Sequence, residues 1–478
     1  MRVKLILPAL TEAMSLYWRS IKYSLFPPLG LATLAGYLRD SDEVEIQDGH
    51  VEKLRLDDEP ELVAIQVYIT SAHRAYEIAD HYRRKGAHVV MGGLHVTAMP
   101  EEAALHANTI VLGPGEEAWP RFLEDFRSGR TQKLYKSKNR TLAGMPGIRR
   151  DLIKRNLYLV PNSIVVSRGC PHNCDFCYKE SFFQGGKSFY TQHVDDALAG
   201  INALPGKHLF FLDDHLLGNA AFAQALFDGM RGMRRLWQAA GTVESALNES
   251  LLEKAVECGL RSLFIGFESL SSTNMKAHNK NQNPSGQYEE AINRLHSMGV
   301  MINASFVFGM DDDDASVFDR TVEWAIENGL ETATFHILTP YPGTKLYARM
   351  SAQNRIFTHN WDLYDTRHAV YRPAGMTVEM LEDGYWQAYY KFYRWRSIFR
   401  SAVVKHSTTE TIRHLMYTGG WKKFEPFWNV LIKAGKVNKM LPILESVLSG
   451  FGRFSGLNYK QLWKLRIAKQ PTKPPSSG

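Results

Sequence analysis

Three cysteines of this 478-residue chain lie close together in the sequence, at Cys170, Cys174 and Cys177. The segment around them, RGCPHNCDFCY, contains glycine and proline and follows a short apolar strand, so a loop is expected at the end of that strand. Thiolates are the usual ligands of iron–sulfur clusters. A four-iron cluster has four corners, so three ligands would leave one iron open, as at catalytic metal sites. The spacing therefore predicts a [4Fe–4S] cluster with one open iron.

A zinc site and a purely structural role suit these cysteines less well. A zinc site would need a fourth ligand at its own regular spacing, and His172 lies inside the loop, where it is badly placed to complete a tetrahedron. Three structural cysteines on one loop would be unusual for a residue type that is mostly buried. Cys258 is different, because it precedes Gly259 at the end of a predicted helix and is expected to be structural.

The elements before the cysteine loop alternate between strand and helix. Residues 1–130 are predicted to form a Rossmann-like doubly wound domain, with glycines after buried strands that let a ligand approach the sheet edge. Its strands are predicted at residues 3–7, 44–47, 62–68, 89–91 and 109–112, and its helices at 29–38 and 72–85. Residues 131–160 are polar and basic at first, then irregular, and are predicted to be a linker.

Residues 161–345 continue the alternation regularly. Strands are predicted at 163–167, 208–212, 241–245, 262–266, 301–308 and 332–338, and helices at 194–202, 220–237, 249–258, 288–298 and 315–328. Six such units fit a partial (β/α)6 TIM-type barrel, whose chemistry lies at the carboxyl ends of its strands. Residues 346–470 are predicted to be mainly helical and basic, and 471–478 to be a disordered tail. The predicted fold class is α/β.

Acidic residues follow several predicted barrel strands. They are Asp213 and Asp214 after the second strand, Glu244 at the end of the third, and Glu268 at the end of the fourth. An acid at a barrel strand end is more often functional than one on a helix face. Each of them could instead cap the helix that follows. Tyr341, in a rigid turn after the sixth strand, is a candidate contact for a cofactor or substrate.

The C-x3-C-x2-C spacing, with aromatic Tyr178 directly after it, resembles the radical S-adenosylmethionine (SAM) superfamily over about residues 160–345. The resemblance implies that SAM chelates the open iron and that an electron, from a partner such as flavodoxin or ferredoxin, cleaves it to a 5′-deoxyadenosyl radical. The resemblance assigns Tyr178 to cofactor binding, and Asp213 and Asp214 to the SAM ammonium. It places Glu244 in the region of the SAM ribose and methionyl parts, Glu268 at the same rim, and Gly309 where the backbone approaches adenine.

The front domain resembles that of the cobalamin-binding subgroup of this superfamily. The likeness rests on residues 27–30, 92–97, 100–102 and 113–117. It implies cobalamin contacts from Gly92, Gly93, His95, Gly113 and Glu116.

One departure from the cobalamin pattern concerns the cobalt ligand. The D-x-H-x-x-G signature is absent, because Asp48-Gly49-His50 is followed by Val-Glu-Lys. His50 and His95 are each open to two interpretations, as a cobalt ligand or as a surface or hydrogen-bonding residue. An empty Rossmann-like domain that binds substrate or a partner is the alternative to cobalamin binding.

Three functions are compatible with these motifs. The first is cobalamin-dependent methyl transfer to an unactivated carbon of a hydrophobic or natural-product substrate. The second is a cyclase, rearrangement or carbon–carbon bond-forming reaction without methyl transfer. The third is a non-catalytic iron–sulfur sensor or membrane-associated protein, which the missing fourth ligand and the acids at the strand ends disfavour.

The positive charge of the chain is concentrated at its C-terminal end. Residues 397–478 contain 14 Lys and Arg against three Glu, a net charge of +11, and the rest of the chain carries −4. Nucleic-acid binding is therefore not expected, since the basic residues belong to one tail. An amphipathic segment within 400–478 could pack against the barrel or rest on an anionic membrane, which would suit a lipid-like substrate. With no signal peptide or spanning segment apparent, a cytoplasmic location is expected.

Overall fold

The computed structural model describes residues 1–13, 21–405, 408–423, 430–431, 434 and 437–449. Its main elements are two six-stranded parallel sheets, each covered by helices, and a helical region that follows them. This is the α/β architecture predicted from the sequence.

The front sheet and its helices form the first unit. Its strands are β1 (Arg2–Leu7), β2 (Glu43–Asp48), β3 (Leu62–Gln66), β4 (His88–Gly92), β5 (Thr109–Leu112) and β6 (Leu134–Lys136). Its helices are α1 (Leu29–Ala35), α2 (Ala72–Arg84), α3 (Leu94–Ala98), α4 (Pro100–His106) and α5 (Gly115–Arg127). The strand order is β2-β1-β3-β4-β5-β6. The winding therefore reverses between β1 and β3, where doubly wound sheets bind their ligands.

Strand β6 lies inside the segment predicted to be a linker, and that prediction is wrong for these residues. β6 pairs in parallel with β5 at the edge of the front sheet. Tyr135 is buried between exposed Leu134 and Lys136. This is the alternation of an edge strand with one covered face. The pattern is too short to separate from a polar linker by sequence alone.

The second sheet is a partial barrel. Its strands are β7 (Ser163–Ile164), β10 (His208–Phe211), β11 (Leu236–Gly241), β12 (Leu260–Glu268), β13 (Met301–Phe308) and β14 (Thr332–Ile337). Its helices are α7 (Val194–Asn202), α8 (Ala220–Met230), α9 (Val243–Leu247), α10 (Glu249–Glu257), α11 (Ser272–Ala277), α12 (Tyr288–Ser297), α13 (Val317–Glu327) and α14 (Lys345–Ala352). The order β14-β13-β12-β11-β10-β7 leaves β7 and β14 as two edges, so the barrel stays open.

The predicted boundaries around the third barrel strand are wrong. The helix expected at 220–237 ends at Met230, because Gly232 (φ +82°) and Arg234 (φ +53°) reverse the chain before β11. The strand expected at 241–245 has already ended at Gly241. Thr242 caps the short helix α9, since its hydroxyl accepts a hydrogen bond from Ser245 N (3.2 Å). Glu244 therefore lies in the first turn of a helix.

A small hairpin leads into the cysteine loop. The first predicted barrel strand, 163–167, divides into β7 and a separate strand β8 (Ser167–Gly169). β8 pairs antiparallel with β9 (Phe189–Thr191), which follows the loop and the short helix α6 (Lys179–Phe182). Both ends of the cysteine segment are thus fixed by one hairpin beside the barrel.

The C-terminal helices pack on the outside and the base of the barrel. They are α15 (Val378–Tyr393), α16 (Trp395–Val403), α17 (Thr408–Lys423) and α18 (Leu441–Ser449). Glu445 on α18 accepts a hydrogen bond from His208 N at the start of β10 (3.0 Å), and Leu448 packs against Met301 at the start of β13. In its described part, the tail therefore packs against the barrel, which is one of the two arrangements expected for it.

Part of the predicted tail lies outside the described residues. The apolar pattern over 427–448 falls partly on residues 427–429, 432–433 and 435–436, and the predicted disordered tail 471–478 falls wholly outside them. Within the described part of the chain, no helix is long and apolar enough to cross a membrane.

Candidate active site

The cysteine loop begins at a glycine that no other residue could replace without strain. Gly169 at the end of β8 has φ +75°, and a Cβ there would lie 2.0 Å from Ser188 O. Lys179, just after the loop, turns back into it and is buried. Its Nζ donates to Cys170 O (2.8 Å), to His172 O and to Asn173 Oδ1 (3.1 Å). This lysine, which the sequence reasoning missed, holds the loop in a compact turn.

The three thiols of the loop are buried or half-buried and form no disulfide. Burial raises the pKa of Cys170, and raises that of Cys177 to about 12. A thiol with a raised pKa loses its proton readily only beside a cation. The irons of a bound cluster would supply that positive charge. Gln282 Nε2 donates to Cys174 Sγ (3.2 Å). Hydrogen bonds of this kind are typical of cluster ligands.

In the described residues, no group of three or more His, Cys, Asp and Glu side chains could hold a metal ion. The cysteines of a cluster bind separate irons, so their sulfur atoms are farther apart than the ligands of one ion. The thiol chemistry, the loop and the amide at Cys174 fit a cluster better than a single metal ion.

Asp213 lies beside the loop and is buried. Its carboxylate is buried and accepts hydrogen bonds from Val166 N (3.1 Å) and from Ser167 N and Oγ. Burial raises the pKa of Asp213 to about 7, although these donors favour the charged form. The structure thus gives Asp213 a role in fixing the start of β8, and does not bring it to a position where it would bind the SAM ammonium.

Asp214 is exposed and faces the front domain. It accepts a hydrogen bond from Tyr178 OH and another from Gly169 N (3.0 Å). This aspartate therefore joins the two ends of the cysteine loop. It lines a cavity between the two sheets.

A cavity of about 440 Å³, the front cavity, separates the edge of the front sheet from β8 and the cysteine loop. It is lined by Gly92, Gly93, Gly113 and Glu116, four of the residues that the resemblance assigns to cobalamin. Gly93 has φ +111°, and a Cβ there would lie 2.8 Å from Val67 O. The backbone can therefore follow the sheet edge at this position only as glycine.

The front cavity fits a large ligand that is not held by a histidine. Among the described residues that line it there is no histidine, so a cobalamin bound there would have no imidazole ligand from this wall. Glu116 Oε2 is buried and has no hydrogen-bond partner in the described structure. This leaves an acceptor for an amide or hydroxyl of a ligand. The residues present therefore fit cobalamin.

Glu116 also connects the two sheets. Its Oε1 accepts from Arg168 Nη2 (2.8 Å) and Nε (2.9 Å), two residues before Cys170. The sequence does not predict this ion pair, because in the sequence Arg168 is recognisable only as part of the cysteine segment. The ion pair fixes the front domain against the first residues of the loop.

The two histidines considered as cobalt ligands have other partners. His50 is buried, with Nδ1 on Asp48 Oδ1 (2.7 Å) and Nε2 accepting from Leu10 N (3.2 Å). Both of its nitrogens are thus engaged in holding the ends of β1 and β2. His95 lines a different cavity from the one lined by the predicted glycines, so its assignment to cobalamin is not supported.

This second cavity, the central cavity, has a volume of about 280 Å³. It lies between the front domain and the last barrel strand, with His95 and Leu94 on one side and Tyr341 and Tyr364 on the other. Tyr178 lines both the front and the central cavity. The aromatic residue after the third cysteine therefore stands between them.

A third cavity of about 380 Å³, the mouth cavity, borders the other side of the cysteine loop. It is lined by Pro171, His172, Asn173, Glu244 and the amides of Asn279, Asn281 and Gln282. A carboxylate with several amides suits the ammonium, carboxylate and hydroxyl groups of SAM. Of the acids predicted for SAM, Glu244 is the one that lines this cavity.

Glu268 and Gly309 have structural partners. Glu268 ends β12 with φ +62°, at an irregularity of the pairing with β13, and forms a buried ion pair with Lys280 Nζ. A Cβ at Gly309 would meet Tyr371 Oη at 2.4 Å and Leu381 at 2.8 Å. Packing against Tyr371 and against Leu381 of α15 accounts for this glycine without a ligand, so the adenine contact remains a prediction.

Comparison with known proteins agrees with this organisation. The B12 binding domain family matches residues 22–123, and the radical SAM superfamily matches residues 164–325. The bacteriochlorophyllide d C-12(1)-methyltransferase of Chlorobaculum tepidum is 30% identical over 353 residues, 71% of this chain and 76% of that protein. The C-8(2)-methyltransferase of the same organism is 28% identical over 390 residues, 77% of this chain and 86% of that protein.

Among solved structures, the cobalamin-dependent SAM radical enzyme OxsB with aqua-cobalamin and SAM bound has a similar fold. The TM-score is 0.63 at 15% identity, covering 98% of this chain and 79% of that one. The two domain matches confirm the cofactor set expected from the sequence, which is a [4Fe–4S] cluster, SAM and cobalamin. The methyltransferase relatives show that the chain is an enzyme, as expected from the sequence. The chain is therefore a radical SAM enzyme with a B12-binding domain, and it belongs to the family of cobalamin-dependent radical SAM methyltransferases.

Proposed function

We propose that this enzyme methylates an unactivated carbon of a hydrophobic substrate and that Cys170, Cys174 and Cys177 hold its cluster. The observation that best supports this is the position of the cysteine loop, because the front, mouth and central cavities all border it or the residue that follows it. In this proposal the front cavity receives cobalamin, the mouth cavity SAM, and the central cavity the substrate. When bound, the cluster and SAM supply a carbon-centred radical, and cobalamin carries the methyl group.

The chain's own residues would then position and shield these groups. Lys179 keeps the loop compact through two carbonyl oxygens, and Arg168 with Glu116 keeps the front domain against it. Tyr178 forms the wall shared by the front and central cavities. Holding reacting groups in fixed positions and excluding water are the contributions expected from the protein in such a reaction.

The walls of the central cavity support a hydrophobic substrate. Four tyrosines and the apolar Leu10, Ile69, Leu94 and Pro342 make up much of its lining. Two relatives are named as bacteriochlorophyllide d methyltransferases, which supports a large ring compound as the substrate here. The alternative is a cyclase or rearrangement reaction in the same site without methyl transfer.

The test uses anaerobically reconstituted protein, reduced with dithionite and supplied with methyl-labelled SAM. We expect bound cobalamin, formation of 5′-deoxyadenosine, and transfer of the label to a tetrapyrrole or polycyclic lipid from the source cells. Cys174→Ala should lose the cluster and 5′-deoxyadenosine formation. Cys258→Ala is the matched control, because this buried cysteine lies at the end of α10, far along the chain from the loop.

Two outcomes would contradict the proposal. No 5′-deoxyadenosine from protein whose cluster is intact by spectroscopy would rule out radical chemistry at this site. 5′-Deoxyadenosine without transfer of the methyl label to any product would favour the cyclase or rearrangement alternative.

Two partners belong to this proposal. We infer that a small one-electron donor such as flavodoxin or ferredoxin reduces the cluster. Among the described residues, the three cysteines of the loop are the one set of cysteines that could hold a cluster, so the electron is expected to come from another protein. We also infer a peripheral membrane contact through α16, on which Phe399 and Val403 are exposed one turn apart beside Arg396. Aromatic and basic residues on one helix face are typical of interfacial helices.

A further inference from the structure

The mouth cavity obtains its carboxylate from the short helix α9. Glu244, in the first turn of this helix, is exposed and is the one acid among the described residues that line the cavity. Its charge reaches His172 of the cysteine loop, where it opposes the lowering of the imidazole pKa by burial. The direction of this carboxylate therefore depends on how the start of α9 is held.

Three backbone N–H groups at the start of α9 need partners from outside the helix ladder. Val243 N donates to Asn283 Oδ1 (2.9 Å), and Glu244 N donates to Gln282 O (3.1 Å). Ser245 N donates to the hydroxyl of Thr242 (3.2 Å). Two of the three acceptors thus come from residues 282–283, a segment about 40 positions further along the chain.

Asn283 is itself fixed against the end of β12. It is 1% exposed, and its Nδ2 donates to Gly266 O. Its carbonyl oxygen lies 3.2 Å from the hydroxyl of buried Tyr288, which also lies 2.8 Å from Phe267 O. The side-chain amide of Asn283 therefore joins β12 to α9, with its nitrogen on the strand and its oxygen on the helix.

Loss of this amide would leave a buried N–H group of α9 without an acceptor. An unpaired buried donor is costly, so the first turn would shift until Val243 N reached water. A helix of five residues has few hydrogen bonds of its own with which to resist such a shift. Glu244 follows Val243 directly in the chain and would move with it.

We propose that Asn283 is a positioning residue, which holds Glu244 toward the mouth cavity and thereby sets the affinity of the enzyme for SAM. The inference rests on the proposed function in that SAM occupies this cavity. Asn283 is not among the described residues that line the cavity, so its effect passes through Glu244. A residue that acts through another one loses its effect once that other residue has been replaced.

The experiment measures the affinity of the reconstituted, cobalamin-loaded enzyme for labelled SAM by anaerobic equilibrium dialysis, with the cluster oxidised so that SAM is not cleaved. Asn283→Leu should weaken binding about tenfold, because a buried hydrogen bond at the start of α9 is lost. Glu244→Gln should weaken binding about thirtyfold, because hydrogen bonds to a carboxylate are stronger than those to an amide. The double variant should bind about as weakly as Glu244→Gln alone, whereas independent effects would multiply to about three-hundredfold.

Two further measurements separate positioning from a general loss of structure. In the reduced enzyme, Asn283→Leu should raise KM for SAM about tenfold while kcat for 5′-deoxyadenosine formation stays within about threefold. Asn303→Leu is the matched control and should bind SAM like the unmodified enzyme. The amide of Asn303 also links neighbouring strands, donating to Ser262 Oγ (2.7 Å) and accepting from Thr332 Oγ1, but it lies near the amino end of β13. Cobalamin and iron content of each variant reports whether it has folded.

Three outcomes would overturn the inference. The first is an unchanged SAM affinity in Asn283→Leu beside a loss in Glu244→Gln. The second is a loss in the double variant equal to the product of the single losses, because Asn283 would then act independently of Glu244. The third is an unchanged affinity in Glu244→Gln, which would also overturn the assignment of SAM to the mouth cavity, so that the two failures are told apart.

Discussion

At the scale of single residues, the contact with most consequence for the cluster is the hydrogen bond from Gln282 Nε2 to Cys174 Sγ. Both residues are buried, so little water competes for the sulfur. A hydrogen bond to a cluster thiolate stabilises the reduced, more negative form more than the oxidised one, and it is one of the factors that set the reduction potential. The adjacent mouth cavity is lined by the same side chain.

Gln282→Leu should therefore make the cluster harder to reduce. Charge-assisted hydrogen bonds contribute about 1.5–3 kcal/mol, and part of this differs between the two redox states, so a potential lower by some tens of millivolts is expected. The measurement is a potentiometric titration followed by electron paramagnetic resonance of the reconstituted protein.

Asn281→Leu is the matched control for that titration. Asn281 lines the same cavity but its amide donates to Asn279 Oδ1 (3.1 Å) and not to a sulfur. An equal shift in both variants, or none in Gln282→Leu, would show that the amide does not influence the cluster.

At the scale of secondary structure elements, α16 has two unlike faces. Ile398 and Ala402 are buried against the molecule, whereas Phe399 is 52% and Val403 76% exposed, four residues apart. Between residues 384 and 409 the chain contains five Lys and Arg and no acid. Phe399 and Val403 lie one turn apart with exposed Arg396 beside them, an arrangement suited to an anionic lipid surface, whereas Arg400 pairs with Glu323 Oε2 (2.9 Å).

Replacing both apolar residues, as Phe399→Ser with Val403→Ser, should weaken binding to vesicles of phosphatidylcholine and phosphatidylglycerol by about tenfold or more. The estimate follows from roughly 1.5–3 kcal/mol for full burial of one large apolar side chain. Vesicle co-sedimentation at low and high salt measures the loss, and high salt should also weaken the unmodified protein.

Leu105→Ser is the matched control, since Leu105 is 72% exposed on α4 of the front domain. Vesicle binding that is unchanged by the α16 substitutions would contradict the membrane contact. Self-association that disappears in the same variants would indicate instead that this face binds a second copy of the chain.

At the scale of the whole molecule, the two sheets meet across the front cavity, and the ion pair between Glu116 and Arg168 joins them beside the cysteines. Glu116 comes from the first turn of α5 and Arg168 from β8. Their side chains are 11% and 27% exposed, so the pair is partly shielded from water. Removing one partner of such a pair leaves the other charge insufficiently compensated.

Glu116→Gln should therefore loosen the front domain and weaken cobalamin binding together. A loss of about 2 kcal/mol, or some thirtyfold in affinity, is expected from removing one member of a partly buried pair. Cobalamin titration gives the affinity, and limited proteolysis of residues 131–160 reports the domain contact. Glu124→Gln, at an exposed position of the same helix, should change neither. Unaltered cobalamin affinity in Glu116→Gln would show that the ion pair does not organise the cavity.

The sequence alone determined the chemistry and the succession of elements. The spacing of the cysteines predicts the cluster, because ligands that are close in sequence on one loop can be recognised without the tertiary structure. The alternation of apolar strands and amphipathic helices likewise follows from local periodicity, and thus predicted both sheets. The errors occurred where local signals are weak, at the three-residue strand β6 and at the turn through Gly232 and Arg234 before β11.

Only the tertiary structure decided which side chains share a cavity. Asp213, Asp214 and Glu244 all follow barrel strands, yet one is buried under β8, one faces the front domain and one lines the mouth cavity. Gln282 acquires its role from Cys174, a partner that lies far from it in the sequence. Spacing along the chain determines which groups can bind a metal together. The direction of each side chain depends on packing between distant segments, and the local sequence pattern contains no information about this packing.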